Sequence, residues 1–317
     1  MSSEPLIVSV SAVDGGHLTL PERLFVADAD PDKRSTVPSL CFLIQHPSSD
    51  DVGSTYLLFD LGLKRDFSGY ASAQRDHITQ RQPTVVDPDC SESLRAGGLD
   101  PVRDIDVVIL SHVHWDHVGT SSDFTGAIFV VGSGTLDVLR NGAGPLYPAE
   151  LFNTDELPFE RTWELPPVPS SGLEKRAAPK DRQIKQQWTK LGDFPAALDY
   201  FGDGSVWIID APGHLIGHVN LLARIGPSRW VYLGGDCCHD PRILRGEKGI
   251  ALYEDGKGGM RSVHWSTTIA RNTLDTIKAF VKSKRLDGEG ELDVQAIVAH
   301  DKEWREANRD KFFPGTL

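Results

Sequence analysis

The stretch LSHVHWDHVG, Leu110 to Gly119, places three histidines and one aspartate between His112 and His117. Imidazole and carboxylate groups are ligands for zinc, and also for iron, manganese or cobalt. Residues two apart on an extended segment point the same way, so His112 and His114 can reach one point together. If the chain then turns, Asp116 and His117 are aimed at a second point. Three further groups stand just past apolar runs: His214 in IIDAPGHLIGHVN, Asp236 in WVYLGGDCC and His300 in VQAIVAHD. Strand ends are a rigid edge on which to build such a site. A structural zinc finger would use cysteines at paired spacing, and Cys41, Cys90, Cys237 and Cys238 offer none.

The elements that must carry these groups are mostly strands. Nine β-branched and apolar runs are bounded by turn residues: LIVSVSAV, SLCFLIQH, TYLLFDLGL, IDVVILSHV, AIFVVGS, SVWIIDA, VNLLARI, WVYLGGD and VQAIVAH. Three stretches read as helices: SESLRAGG, SGTLDVLRNG and STTIARNTLDTIKAFVKSK. In the last, Ala270, Leu274, Ile277 and Val281 share one face. Two strand-rich blocks result, with a Pro-rich, charged stretch holding isolated aromatics between them at about 141–200. That stretch reads as an insertion or long connection, either a lid or a surface extension.

Composition narrows the chemistry. A formal net charge of -12 argues against a nucleic-acid groove or an anionic membrane surface, since both select clustered Lys and Arg. No apolar stretch is long enough to span a bilayer, and no secretory leader is visible. Four cysteines without a disulfide framework fit reduced thiols, so a cytoplasmic location is expected.

Together these residues resemble the metallo-β-lactamase superfamily. Its HxHxDH signature appears as His112, His114, Asp116 and His117, followed by the PGH histidine His214, a bridging Asp236 and a late His300. The match runs in order across nearly the whole chain. The resemblance implies an α/β fold, a four-layer αβ/βα sandwich. It implies one domain over residues 1–317, with the insertion at about 141–200. It further implies two Zn2+ ions, other divalent transition metals being possible. One takes His112, His114 and His214; the other takes Asp116, His117 and His300; Asp236 bridges them. The implied reaction is attack of a metal-bridging hydroxide on a carbonyl, with Asp116 also passing a proton to the leaving group.

Within the superfamily, zinc β-lactamases generally have Cys or Ser where Asp236 stands, and hydroxyacylglutathione hydrolases carry a helical domain after the last ligand. The present set is most similar to the N-acyl-homoserine-lactone lactonases and related lactamases. The expected partner is therefore a small cyclic ester or amide: a lactone, or a γ-lactam or cyclic carbamate. The alternatives are a thioester hydrolase on the same site and a non-hydrolytic metal-binding protein. One departure bears on substrate. The lactonases commonly place Tyr three residues after the bridging Asp, and here that position is His239. Its imidazole could donate to the substrate or act as a general acid. Trp115 and His264 are further candidates for the substrate side. Asp60 is expected to hydrogen-bond a ligand histidine or order a loop. His218 is expected to be structural, and Cys237 and Cys238 to be buried as small apolar groups.

Overall fold

The computed structural model describes residues 5–47, 53–169, 171–172, 174–286 and 288–317. Its architecture follows from the alternation hidden inside the apolar runs. In β2 (Arg34–His46), Leu40, Phe42 and Ile44 point to one face and Cys41 and Leu43 to the other, and all five are buried. A strand buried on both faces reads as a continuous apolar run and must lie between two layers.

Six strands form the first sheet in chain order: β1 (Ser9–Pro21), β2, β3 (Thr55–Phe59), β4 (Val107–Ile109), β5 (Ile128–Val131) and β6 (Thr162–Glu164). The first two pairings are antiparallel and the rest parallel. The second sheet uses β7 (Thr189–Leu191), β8 (Phe194–Asp199), β9 (Val206–Asp210), β10 (Val219–Arg224) and β11 (Arg229–Leu233). A small ribbon of β12 (Tyr253–Glu254) and β13 (Met260–Arg261) follows, and β14 (Asp293–Ile297) then pairs parallel with β11 as the outermost strand.

The two sheets face each other. Phe42, Leu57, Phe59 and Val107 from the first meet Ile208, Leu221, Val231 and Leu233 from the second in one core. The outer face of the first sheet packs on α2 (Cys90–Ala96) and α3 (Thr135–Asn141). The outer face of the second packs on α5 (Thr267–Ser283). The result is the αβ/βα sandwich. Helix α5 buries Ala270, Leu274, Ile277 and Phe280, with Val281 only partly covered. Phe280 rather than Val281 closes the stripe, because its ring packs tilted against Phe194 with centroids 4.9 Å apart. Full burial of each large apolar side chain contributes roughly 1.5–3 kcal/mol.

All nine expected strands form, but those leading into the site stop early. β4 ends at Ile109 and β11 at Leu233, so the ligand-type residues lie in loops beyond them. The segment at about 141–200, expected as an insertion, contributes β6 to the first sheet and β7 and β8 to the second. Two of these strands have only three residues and β8 carries Pro195, so none gives a clean alternating signal. The segment also supplies Leu146, Tyr147 and Leu151 to the wall of the site cavity. Three short helices were not legible: α1 (Ser72–Thr79), α4 (Pro241–Leu244) and α6 (Lys302–Ala307).

Topology brings the loops together. β3 and β4 run parallel, so both end at the same edge of their sheet. β9 and β11 each pair antiparallel with β10, and β14 runs parallel to β11, so all three end at one edge of the second sheet. The two edges are joined by backbone hydrogen bonds from Val219 to Ser111 at 2.8 Å and from Leu40 to Ala299 at 2.9 Å.

Candidate metal centre

Five loops converge on a cluster of buried imidazoles and carboxylates. His112 Nε2 and His114 Nδ1 are 2.9 Å apart, and His214 Nε2 lies 3.2 Å from the first and 2.9 Å from the second. Asp236 Oδ2 faces this trio, 3.3 Å from His214 Nε2 and 3.8 Å from His112 Nε2. The other oxygen, Oδ1, lies 3.3 Å from His117 Nε2 and 3.2 Å from His300 Nε2. Asp116 Oδ2 stands 3.7 Å from His300 Nε2. The two oxygens of Asp236 therefore address two separate sets of donors.

This arrangement fits a pair of metal ions. His117 Nε2, His300 Nε2 and Asp236 Oδ1 are buried and make no hydrogen bond. Leaving such atoms unpaired is costly, and a cation between them would remove that cost. Tetrahedral zinc with bonds of about 2.0–2.1 Å sets its ligand atoms roughly 3.3 Å apart, close to the separations within each set. Electrostatics point the same way. Burial pushes His112, His114 and His214 well below the usual imidazole range, which leaves them neutral donors. Burial also acts to raise the Asp236 carboxyl, but His300, His117 and His239 around it outweigh that and hold it well below the usual range.

The groups behind the candidate ligands fix their orientation. Asp60, at the end of β3, adopts φ 63° and accepts from Ser111 N–H at 2.7 Å, from Ser111 Oγ at 2.7 Å and from His117 Nδ1 at 2.8 Å. His300 Nδ1 donates to the Pro38 carbonyl at 2.8 Å. Each bond leaves Nε2 as the free atom of its ring. His218 is tied between the Ala211 carbonyl and the backbone N–H of Asp236, and so positions the main chain of Asp236. Gly235 has φ 46°, and a Cβ there would lie 2.9 Å from Ser111 Cβ. Only glycine lets the strand turn so tightly into the site.

The seven residues expected as ligands are thus brought to one place. The substrate-side candidates separate. Trp115 lines the cavity and also belongs to the core, with its ring edge-on to Tyr70. His239 lines the cavity, but its Nε2 lies 3.2 Å from Asp236 Oδ2. His264 does not line the cavity. It is buried behind His214, Nδ1 to Nδ1 at 3.1 Å, because the start of α5 folds back over the Pro-Gly turn. It therefore touches a candidate ligand rather than the open space. Cys237 and Cys238 are buried in the core and offer no sulfur to the donor groups among the described residues.

The cavity above the cluster has a volume of about 320 Å³. Its walls include residues with no ligand-like signature in the sequence. Tyr147 donates its hydroxyl to the Val263 carbonyl and packs its ring 4.7 Å from His114. Phe25 lies 4.7 Å from His239. Gln74, His77 and Arg81 come from α1 and the turn after it. A lone Arg or Tyr in a loop has no spacing rule, so only the fold reveals these neighbours.

Comparison with known proteins agrees with this geometry. The family model described as the metallo-beta-lactamase superfamily matches residues 35–169. The gamma-lactamase MBL2 of Gibberella moniliformis is 30% identical over 187 residues, covering 58% of this chain and 70% of that protein. The chain belongs to the metallo-beta-lactamase superfamily. The cytochrome P450 monooxygenase mpaDE of Penicillium roqueforti is 30% identical over 336 residues, covering 98% of this chain. This chain spans only 35% of that protein's length and 27% of two similar relatives. Among solved structures, a quorum-quenching N-acyl homoserine lactone lactonase superposes with a TM-score of 0.64 at 17% identity, covering 99% of this chain and all of that one. No helix among the described residues is long and apolar enough to cross a membrane.

Proposed function

We propose that the protein is a metal-dependent hydrolase that opens a small cyclic carbonyl substrate, a lactone or a γ-lactam or cyclic carbamate. The observation that carries this reading is the divided carboxylate of Asp236. One oxygen faces His112 and His214 and the other faces His117 and His300, beneath an open cavity. Divalent ions held there, zinc being the expected pair, would supply a water acid enough to attack at neutral pH and would polarise the carbonyl.

The chain's own residues supply the rest. His112, His114 and His214 would hold one ion and Asp116, His117 and His300 the other, with Asp236 presenting an oxygen to each set. Asp116 borders the cavity and takes a proton from the reacting water for delivery to the departing oxygen or nitrogen. His239 stands at the cavity wall with Nε2 3.2 Å from Asp236 Oδ2, on the side from which a ring heteroatom would leave. Trp115, Phe25 and Tyr147 exclude water and provide flat apolar surfaces for a ring. A gamma-lactamase among the relatives and a lactone lactonase among the structural neighbours support a ring substrate over an open one.

The test is a hydrolysis panel on zinc-loaded protein covering lactones, lactams, cyclic carbamates and thioesters. Turnover of rings above thioesters is expected. A strong thioester preference would reject the ring assignment, and no turnover of any member would reject the hydrolase reading.

A further inference from the structure

Arg81 stands out among the buried cations. It is only 7% exposed, and its Nη1 is buried with no hydrogen bond. No ion pair or side-chain hydrogen bond of Arg81 occurs among the described residues, and its guanidinium carbon lies 5.6 Å from the centre of the Phe25 ring. The similarly buried Arg224 shows the usual solution: it pairs with Glu289 and donates to the Pro227 carbonyl at 3.0 Å. A buried guanidinium without an anion is costly. Its backbone is nevertheless pinned, with N–H donating to Ile78 at 2.8 Å and the carbonyl accepting from Thr19 at 2.9 Å.

Arg81 lines the same cavity as the metal centre. The acidic groups on that wall are Asp116 and Asp236, both committed to the centre. Arg261 adds a second cation, stacked 4.8 Å from Tyr253. Two divalent ions held there would neutralise the carboxylates of the centre and leave the cavity with net positive charge. In a chain of net charge -12, this is a local inversion that draws small anions.

We propose that Arg81 is the receptor for a carboxylate carried by the substrate, so that the ring opened at the metal centre belongs to an acid and its apolar body spans the cavity. This rests on the ring-opening reading for its substrate class, but not for the anion site itself. A guanidinium accepts no bond and presents a planar donor fork that fits a carboxylate.

The test uses zinc-loaded protein and a graded series of γ-butyrolactones bearing a carboxyalkyl chain, each beside its methyl ester. A parallel series of cyclic ethers with the same chains, which have no carbonyl to attack, is titrated by calorimetry. The acid is expected to bind, and to show kcat/KM, roughly 10- to 100-fold better than its ester at one chain length. Arg81→Gln removes that preference, chiefly through KM, and Arg81→Lys keeps part of it. Metal content and thermal unfolding report whether each variant is folded; if Arg81→Gln is not, the wild-type comparison and Arg81→Lys decide. Equal treatment of acid and ester by the wild type, or a preference that survives in Arg81→Gln, overturns the proposal. Binding of the acid ether without any lactone turnover would reject ring opening and leave the anion site standing.

Discussion

His218 Nε2 accepts the backbone N–H of Asp236 at 3.1 Å, and its Nδ1 donates to the Ala211 carbonyl at 2.9 Å. A neutral ring in one tautomer thus links the loop after β9 to the loop that carries the bridging carboxylate. The bond holds the main chain of Asp236 where its side chain faces both donor sets.

Removal of this link should loosen the metal centre without removing a ligand. His218→Ala is expected to lower metal affinity about 10- to 100-fold, the usual cost of losing a group behind the ligands. Competition with a coloured chelator measures it. Unchanged affinity would show that Asp236 is positioned by other means.

Asp60 accepts three hydrogen bonds in a buried, left-handed conformation. Asp60→Ala leaves the Ser111 N–H without a partner and His117 Nδ1 with only the 3.5 Å contact to Ser111 Oγ, and places a Cβ-only side chain at φ 63°. A loss of roughly 1–3 kcal/mol per orphaned group is expected. Asp60→Asn tolerates the backbone and keeps acceptors, so it should lose less. Urea unfolding of both variants checks the order; equal stability of Asp60→Ala and wild type would contradict it.

Glu22 ties the β1–β2 hairpin to α4, directly after the Asp236 loop. It accepts from Ser35 at 2.5 Å and pairs with Lys33 and Arg242 at 3.0 Å each. Burial acts to raise its carboxyl, but the bonds from Ser35, Arg242 and Lys33 outweigh this and bring it down to about 2. The folded value lies below the unfolded one, near 4.3. The stabilisation is therefore complete above about pH 4.3 and is lost as pH falls towards 2. The stability gap between wild type and Glu22→Gln should be widest near neutrality and shrink below about pH 4. A gap that stays constant down to pH 3 would contradict the assignment.

Much of this architecture could be read from the chain because its signals are dense. His112, His114, Asp116 and His117 fall in one short motif, and His214, Asp236 and His300 each follow a long apolar run that folds as a buried strand. The strands end before their apolar runs do, since Leu110 and Gly234 continue the pattern while the backbone has already turned. The edge strands β6 and β7 escaped notice because three residues carry no periodicity. The sequence shows His264 beside Trp265 but not its contact with His214, which only the fold supplies. Arg81, Tyr147 and Phe25 reach the cavity from segments distant in sequence, and no local pattern marks them.

The central claim is that two ions, joined by Asp236, drive ring opening. It is tested most directly by titrating zinc into metal-free protein while following opening of a lactone or γ-lactam that the panel has shown to be turned over. The rate should be absent without zinc and rise to a plateau at about two equivalents per chain. A full rate at one equivalent, or opening that persists without metal, would contradict the account.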